Sequence, residues 1–136
     1  MKVTRSGSET GPAPSEFFTG SVTMTPVANP SERSRINATS VHFEPSARTA
    51  WHTHPNGQTL FVTEGIGLAQ GRGGPIEVIR PGDRVWIDGG EDHWHGASAA
   101  LAMTHLSFVE VDDDGNAAVW GDQVTGEEYA AAPPVD

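Results

Sequence analysis

His52 and His54 stand two residues apart in Trp51-His52-Thr53-His54-Pro55-Asn56-Gly57-Gln58. On a strand, residues two apart share a face, so the two imidazoles project side by side. Pro55, Asn56 and Gly57 bend the chain. Gln58 then opens the apolar run Leu60-Phe61-Val62, with its side-chain oxygen free to turn back toward the two rings. A further histidine comes in Glu91-Asp92-His93-Trp94-His95-Gly96. With no Cys in the chain, thiolate ligation and disulfides are excluded. Imidazoles joined by an oxygen ligand across a tight turn suit one first-row divalent metal, here on His52, His54, Gln58 and His93. The alternative is a hydrogen-bonded polar cluster without metal, but four such groups are costly to bury without a common partner. These ligands suit manganese, iron, zinc, nickel and cobalt alike. A neutral amide in place of a carboxylate leaves a divalent ion its full charge, and so a stronger Lewis acid.

Two more histidines share this neighbourhood. His95 has the parity of His93, and His105 lies on the next predicted strand. Either is a structural histidine with satisfied hydrogen bonds or a group for proton transfer near neutral pH. His42 has the opposite parity to Val41 and reads as structural, paired at a sheet face or a subunit contact.

The elements that must position these groups are short strands separated by turns. Strands are predicted over 17–24, 36–43, 49–54, 59–64, 65–70, 76–79, 84–87, from 93, and over 101–110, with a loop over 26–35. Such spacing predicts an antiparallel sandwich or barrel in one all-β domain over residues 1–136. The barrel core spans about 36–112, behind a loosely held arm over 1–15. The tail, 121–136, holds a capping box at Thr125-Gly126-Glu127-Glu128, a short helix to Ala132, and Pro133 as its stop. Alternation places Thr39, Val41, Thr49, Leu60, Val62 and Val109 on the cavity wall, which suits a small, partly apolar ligand. Trp51 and Trp94 then face outward, against the chain's own terminal segments or against another subunit. With the N-terminal arm they motivate a homo-oligomer, a dimer or tetramer.

Net charge is −10, which argues against nucleic acid and anionic membrane surfaces. No run is long and apolar enough to span a bilayer, and residues 1–7 lack the apolar segment of a secretion signal. The expectation is a cytoplasmic protein acting on a small molecule.

His52-x-His54, Gln58 and Gly65, followed by Gly82, Gly90 and His93, resemble the two motifs of the cupin superfamily. The resemblance runs over residues 40–110 and implies a double-stranded β-barrel with one metal in its mouth. Four positions depart from the usual pattern: Ser46 for Gly, Gln58 for Glu, Asp88 for Pro and Ala97 for Asn. A closer resemblance is carried by Phe43-Glu44-Pro45, Ala50 to Pro55, Gly57 to Leu60, Pro81-Gly82-Asp83, His93 to Ala97 and Met103 to Leu106. These segments look like the bacterial cupin hydroxynitrile lyases. That group implies manganese, a Gln in the ligand set, acid/base roles for His95 and His105, and reversible cleavage of a cyanohydrin. An oxygenase, an isomerase or decarboxylase of a small acid, and a non-catalytic binder remain as rivals.

Overall fold

The computed structural model describes residues 1–135. In chain order its elements are β1 (Gly11–Pro12), β2 (Phe18–Thr19), β3 (Val22–Ala28), β4 (Ile36–Phe43), β5 (Arg48–Thr49), β6 (His52–Thr53) and β7 (Gln58–Gly65). They continue with β8 (Gly67–Gly71), β9 (Ile76–Ile79), β10 (Arg84–Ile87), β11 (His93–Ala97), β12 (Met103–Glu110), β13 (Val119–Trp120) and α1 (Gly126–Ala130). One sheet runs β1-β3-β4-β12-β7-β10. The other runs β13-β6-β11-β5-β2, with β8 also on β11 and β9 on β8. Both are antiparallel throughout. Val41, Phe43, Val62 and Met103 from the first sheet pack with Phe18, Ala69, Ile79 and Ala97 from the second. The main core therefore lies between two curled sheets, as an all-β barrel requires. No helix among the described residues is long and apolar enough to cross a membrane.

Strands β4, β9 and β10 have the bounds their alternation predicts, and Thr125 caps α1 through the full capping box with Glu128. The differences have local causes. The strand expected over 17–24 breaks at Gly20, whose φ is +83°, and continues through Pro26 to Ala28. Beyond its pairing with β1, β3 is an edge, where a residue without an N–H is tolerated, and its register shifts between Pro26 and Ala28. The strand expected over 49–54 divides into β5 and β6, both paired with β11. The arm over 1–15 is pinned at Gly11–Pro12 by β3. Strand β13, outside the predicted strands, is two residues long and pairs with β6.

Trp51 and Trp94 do turn away from the cavity, and their cover is the same chain. They form a second core with Leu68 and Val124, against which Tyr129 packs. Trp51 Nε1 donates to Glu128 Oε2 at 3.2 Å, and Tyr129 Oη donates to the Ala97 carbonyl at 2.7 Å. Arg48 fastens the approach to the helix by donating twice to the Val124 carbonyl, at 2.9 and 3.3 Å. These contacts leave neither tryptophan for a subunit contact. The large apolar side chains that do stay exposed include Ile36, Phe61, Trp86 and Phe108.

Ser46, the departure from glycine noted above, has a φ of +71° and is the non-glycine residue recorded in the left-handed region. A side chain there costs about 1–2 kcal/mol. Gly65 also has positive φ, but a Cβ on it would collide with the Ala102 carbonyl. Ser46→Gly should therefore leave stability equal or raise it by up to about 1 kcal/mol, whereas Gly65→Ala should lose more than about 2 kcal/mol. Urea unfolding of both variants checks the contrast; equal losses would contradict it.

Candidate metal and active site

The histidines and Gln58 converge because four strands, β6, β7, β11 and β12, deliver them to one end of the barrel. His52 on β6 lies directly across from His93 on β11. The turn after His54 needs Gly57 at φ +81°, where a Cβ would strike the Trp86 ring and the Ile87 carbonyl. That turn lets β7 begin with Gln58 aimed inward. His95 follows on β11, and His105 comes from β12. All these groups are buried: His52, His54, Gln58, His93, His95 and His105 are each 6% exposed or less.

Hydrogen bonds fix which ring nitrogen carries the proton. The Nδ1 of His52 faces the Ala50 carbonyl at 2.9 Å, that of His54 the Ala117 carbonyl at 2.7 Å, and that of His93 the Glu91 carbonyl at 2.8 Å. A carbonyl only accepts, so each Nδ1 must hold the hydrogen and each Nε2 a bare lone pair. His54 Nε2 is buried without a partner. His93 Nε2 lies 3.0 Å from Gln58 Oε1, while the Gln58 amide donates the other way, to Ser107 Oγ at 2.8 Å. Two acceptors thus face each other at hydrogen-bond distance. That contact is repulsive by itself and is relieved by a cation between them. The donor set fits a divalent metal, and main-chain carbonyls orienting ligand histidines are what such sites employ.

The ring nitrogens of His52, His93 and His95 also lie within 4.8 Å of one another, so three histidines can hold a divalent ion. His54 is also close by ring position: its centroid lies 4.9 Å from that of His52 and 5.4 Å from that of His93, against 5.3 and 5.7 Å for His95. His95 differs from the other rings in how it is fixed. Its Nδ1 meets His105 Nε2 at 2.9 Å, and both outer nitrogens, His95 Nε2 and His105 Nδ1, are buried without partners.

A cavity of about 370 Å³ opens over these groups. Thr39, Val41, Thr49 and Val109 line it, together with His52, His54, His95 and His105. Leu60 and Val62 share the inward face of β7 with Gln58 but do not reach the cavity. Both are fully buried, and Val62 belongs to the main core. Three features of the wall lay outside the sequence reading. Ser107 lines the cavity beside Gln58. The segment from Gly115 to Ala118 crosses the mouth and supplies the carbonyl that orients His54. Trp120 on β13 pairs with His52 in register and stacks on its ring at 4.6 Å, with Phe17 stacked on the indole at 4.7 Å. His42 stands apart on the outer sheet face, with Thr104 Oγ1 at 2.7 Å and Glu44 Oε1 at 3.0 Å.

The model of the cupin domain matches residues 39–108, which includes Gln58, four of the clustered histidines and His105. This chain is a cupin. It is 50% identical over 130 residues to an (R)-mandelonitrile lyase of Granulicella tundricola, covering 95% of this chain and 98% of that protein. It also resembles the crystal structure of a cupin-like protein from Thermotoga maritima, with a TM-score of 0.84, 36% identity and 97% of each chain covered. A cupin-2 domain protein from Rhodospirillum rubrum shares the fold at 19% identity, with a TM-score of 0.71 over 96% of this chain and 84% of that one.

Burial dominates the electrostatics of this cupin's site. Desolvation pushes His93 and His105 down to about 4, and lowers His52, His54 and His95 as well. Neighbouring imidazoles oppose charging of His52 and His95 further. These rings are therefore neutral at pH 7, the state that offers lone pairs.

Two outcomes follow for the purified protein. Without metal, the folded pKa of His93 and His105 lies below the unfolded value near 6.5. Their contribution to stability is complete above about pH 6.5 and is lost as pH falls toward 4, on the order of 3 kcal/mol for each. Urea midpoints between pH 7.5 and 4.5 in chelator measure the loss, and His105→Gln should make it shallower; a flat profile would contradict the buried neutral state. Second, His54→Ala should weaken divalent-metal binding by at least about tenfold, while His95→Ala leaves it within about threefold. Metal titration would show the reverse ranking if His95, not His54, completes the site.

Proposed function

We propose that this cupin is a metal-dependent lyase that reversibly cleaves a cyanohydrin to an aldehyde and hydrogen cyanide. The ion would be held by His52, His54, Gln58 and His93, and manganese is the reading that the resemblance to the bacterial lyases favours. When bound there, a divalent ion supplies Lewis acidity toward a substrate hydroxyl oxygen. The 50% identity to the Granulicella (R)-mandelonitrile lyase supports the reaction class. The observation that carries the reading is the His95–His105 pair, bonded at 2.9 Å with both outer nitrogens free of protein partners.

Proton counting gives that pair its chemistry. Two neutral imidazoles hold two N–H hydrogens, and one lies in the shared bond. The ring that donates it is left with a bare outer nitrogen. The ring that accepts it must carry its own hydrogen on the outer nitrogen. The pair therefore offers one base and one acid at the same time. The base takes the substrate's hydroxyl proton, the C–C bond breaks with its electrons leaving on cyanide, and the acid protonates the cyanide. Moving the shared hydrogen across the bond makes both rings neutral again with their roles exchanged, the former base now the acid and the former acid the base. Burial keeps both rings neutral, so neither end is lost to a standing charge. Val41, Val109, Phe18 and Met24 give the cavity an apolar side, suited to the organic group of a small substrate.

Mandelonitrile cleavage, followed by the absorbance of benzaldehyde, tests the reading. His105→Ala should keep metal content and lose on the order of 10²–10⁴ in rate. Gln58→Glu should keep the ion and weaken the chemistry, because a carboxylate cuts its effective charge. No cleavage by wild type with manganese, iron, zinc, nickel or cobalt would sink the lyase reading. Unimpaired cleavage by Gln58→Glu at full occupancy would sink only the charge argument.

A further inference from the structure

A glutamine ligand has a requirement that a glutamate does not. A carboxylate presents an oxygen whichever way it turns. An amide turned the wrong way presents N–H groups, which repel a cation. Something must hold the amide by its nitrogen. On β12, Ser107 pairs with Leu60 and Val109 with Gln58, so Ser107 and Gln58 are diagonal neighbours on the inward face. Ser107 Oγ accepts from Gln58 Nε2 at 2.8 Å, and Gln58 Oε1 points to His93 Nε2.

We infer that Ser107 is a positioning residue, whose hydroxyl holds the amide nitrogen of Gln58 and turns its oxygen toward the point where the lone pairs of His52, His54 and His93 converge. The inference rests on the metal reading given under Proposed function. The opposite orientation identifies what Ser107 opposes. With the amide turned over, its N–H would donate to the bare His93 Nε2 and cap one ligand. The amide is only 3% exposed, so water offers little relief in either state. Without the Ser107 hydroxyl, the metal-ready orientation leaves a buried N–H unpaired. The turned-over one leaves only a carbonyl oxygen unpaired, the smaller loss, whereas with the hydroxyl present both orientations are satisfied, since Ser107 Oγ can accept from the amide N–H or donate to its oxygen; removing it tips the balance away from the metal-ready state. Loss of the hydroxyl should therefore appear as weaker metal binding. Removing partners that orient ligands typically costs 10–100-fold in metal affinity.

The experiment titrates full-length protein with manganese and zinc against a chromophoric chelator, with melting of the metal-free protein as a check on folding. Ser107→Ala should lose about 10–100-fold in affinity. Ser107→Thr and Ser107→Val have nearly the same shape and differ in the hydroxyl; Thr should bind within about threefold of wild type and Val should lose as Ala does. In a Gln58→Ala background, Ser107→Val should have no further effect, since no amide is left to orient. Equal affinity of the Thr and Val variants, or an equal loss with and without Gln58, would overturn the positioning role. Wild type binding neither metal would overturn the metal reading itself, an outcome distinct from both.

Discussion

A neutral imidazole has two nitrogens and one proton, and the site is built on that shortage. Tying Nδ1–H of His52, His54 and His93 to main-chain carbonyls leaves three lone pairs with nowhere to go but inward. Burial forbids the escape of taking a second proton, as the depressed pKa of His93 shows. The Gln58 oxygen adds a fourth acceptor to the same place. Such a concentration of acceptors is unfavourable on its own, and the surrounding barrel holds it together. The strand pairings that place His52 opposite His93, and the tight turn at Gly57, are therefore constraints on chemistry as much as on shape.

The same shortage is resolved differently a few ångströms away. His95 and His105 are fixed by each other rather than by the main chain. Rings tied to carbonyls are locked in one tautomer. Rings tied to each other can exchange roles, because the shared hydrogen can cross when one outer nitrogen gains a proton and the other gives one up. One cavity thus contains histidines that cannot change state and histidines that can, and the difference lies wholly in their second nitrogen. Sequence neighbours on β11, His93 and His95, fall on opposite sides of this division.

Much of this was legible in the sequence because strands have period two. Parity placed His52 with His54 and His93 with His95, sent Trp51 and Trp94 outward, and assigned Thr39, Val41, Thr49 and Val109 to the wall. Parity gives the face but not the depth. Leu60 and Val62 have the right face and lie too deep, in the filled part of the barrel. Nor does it say what covers an outer residue; a helix of five residues, anchored by Arg48, covers both tryptophans. Trp120 and the Gly115–Ala118 segment were out of reach for another reason. They come directly after Asp112-Asp113-Asp114, whose charge reads as a solvated face, and β13 is two residues long. Its position is set by β6, not by its own pattern. Ser107 gave no signal because a hydroxyl acquires a role only from the amide it meets.

The crossing of the cavity mouth by residues 115–118 has a consequence for how such a protein changes over time. The reactive floor comes from strands deep in the barrel, whose pairing fixes it. The rim comes from a late, irregular stretch that touches the floor at two points, the Ala117 carbonyl and the Trp120 ring. Insertions or exchanges between Asp112 and Ala117 would reshape the entrance while both anchor points are kept. The shape of the entrance and the placement of the histidines are thus encoded in separate stretches of the chain. One can drift, or be engineered by loop grafting, under little pressure from the other.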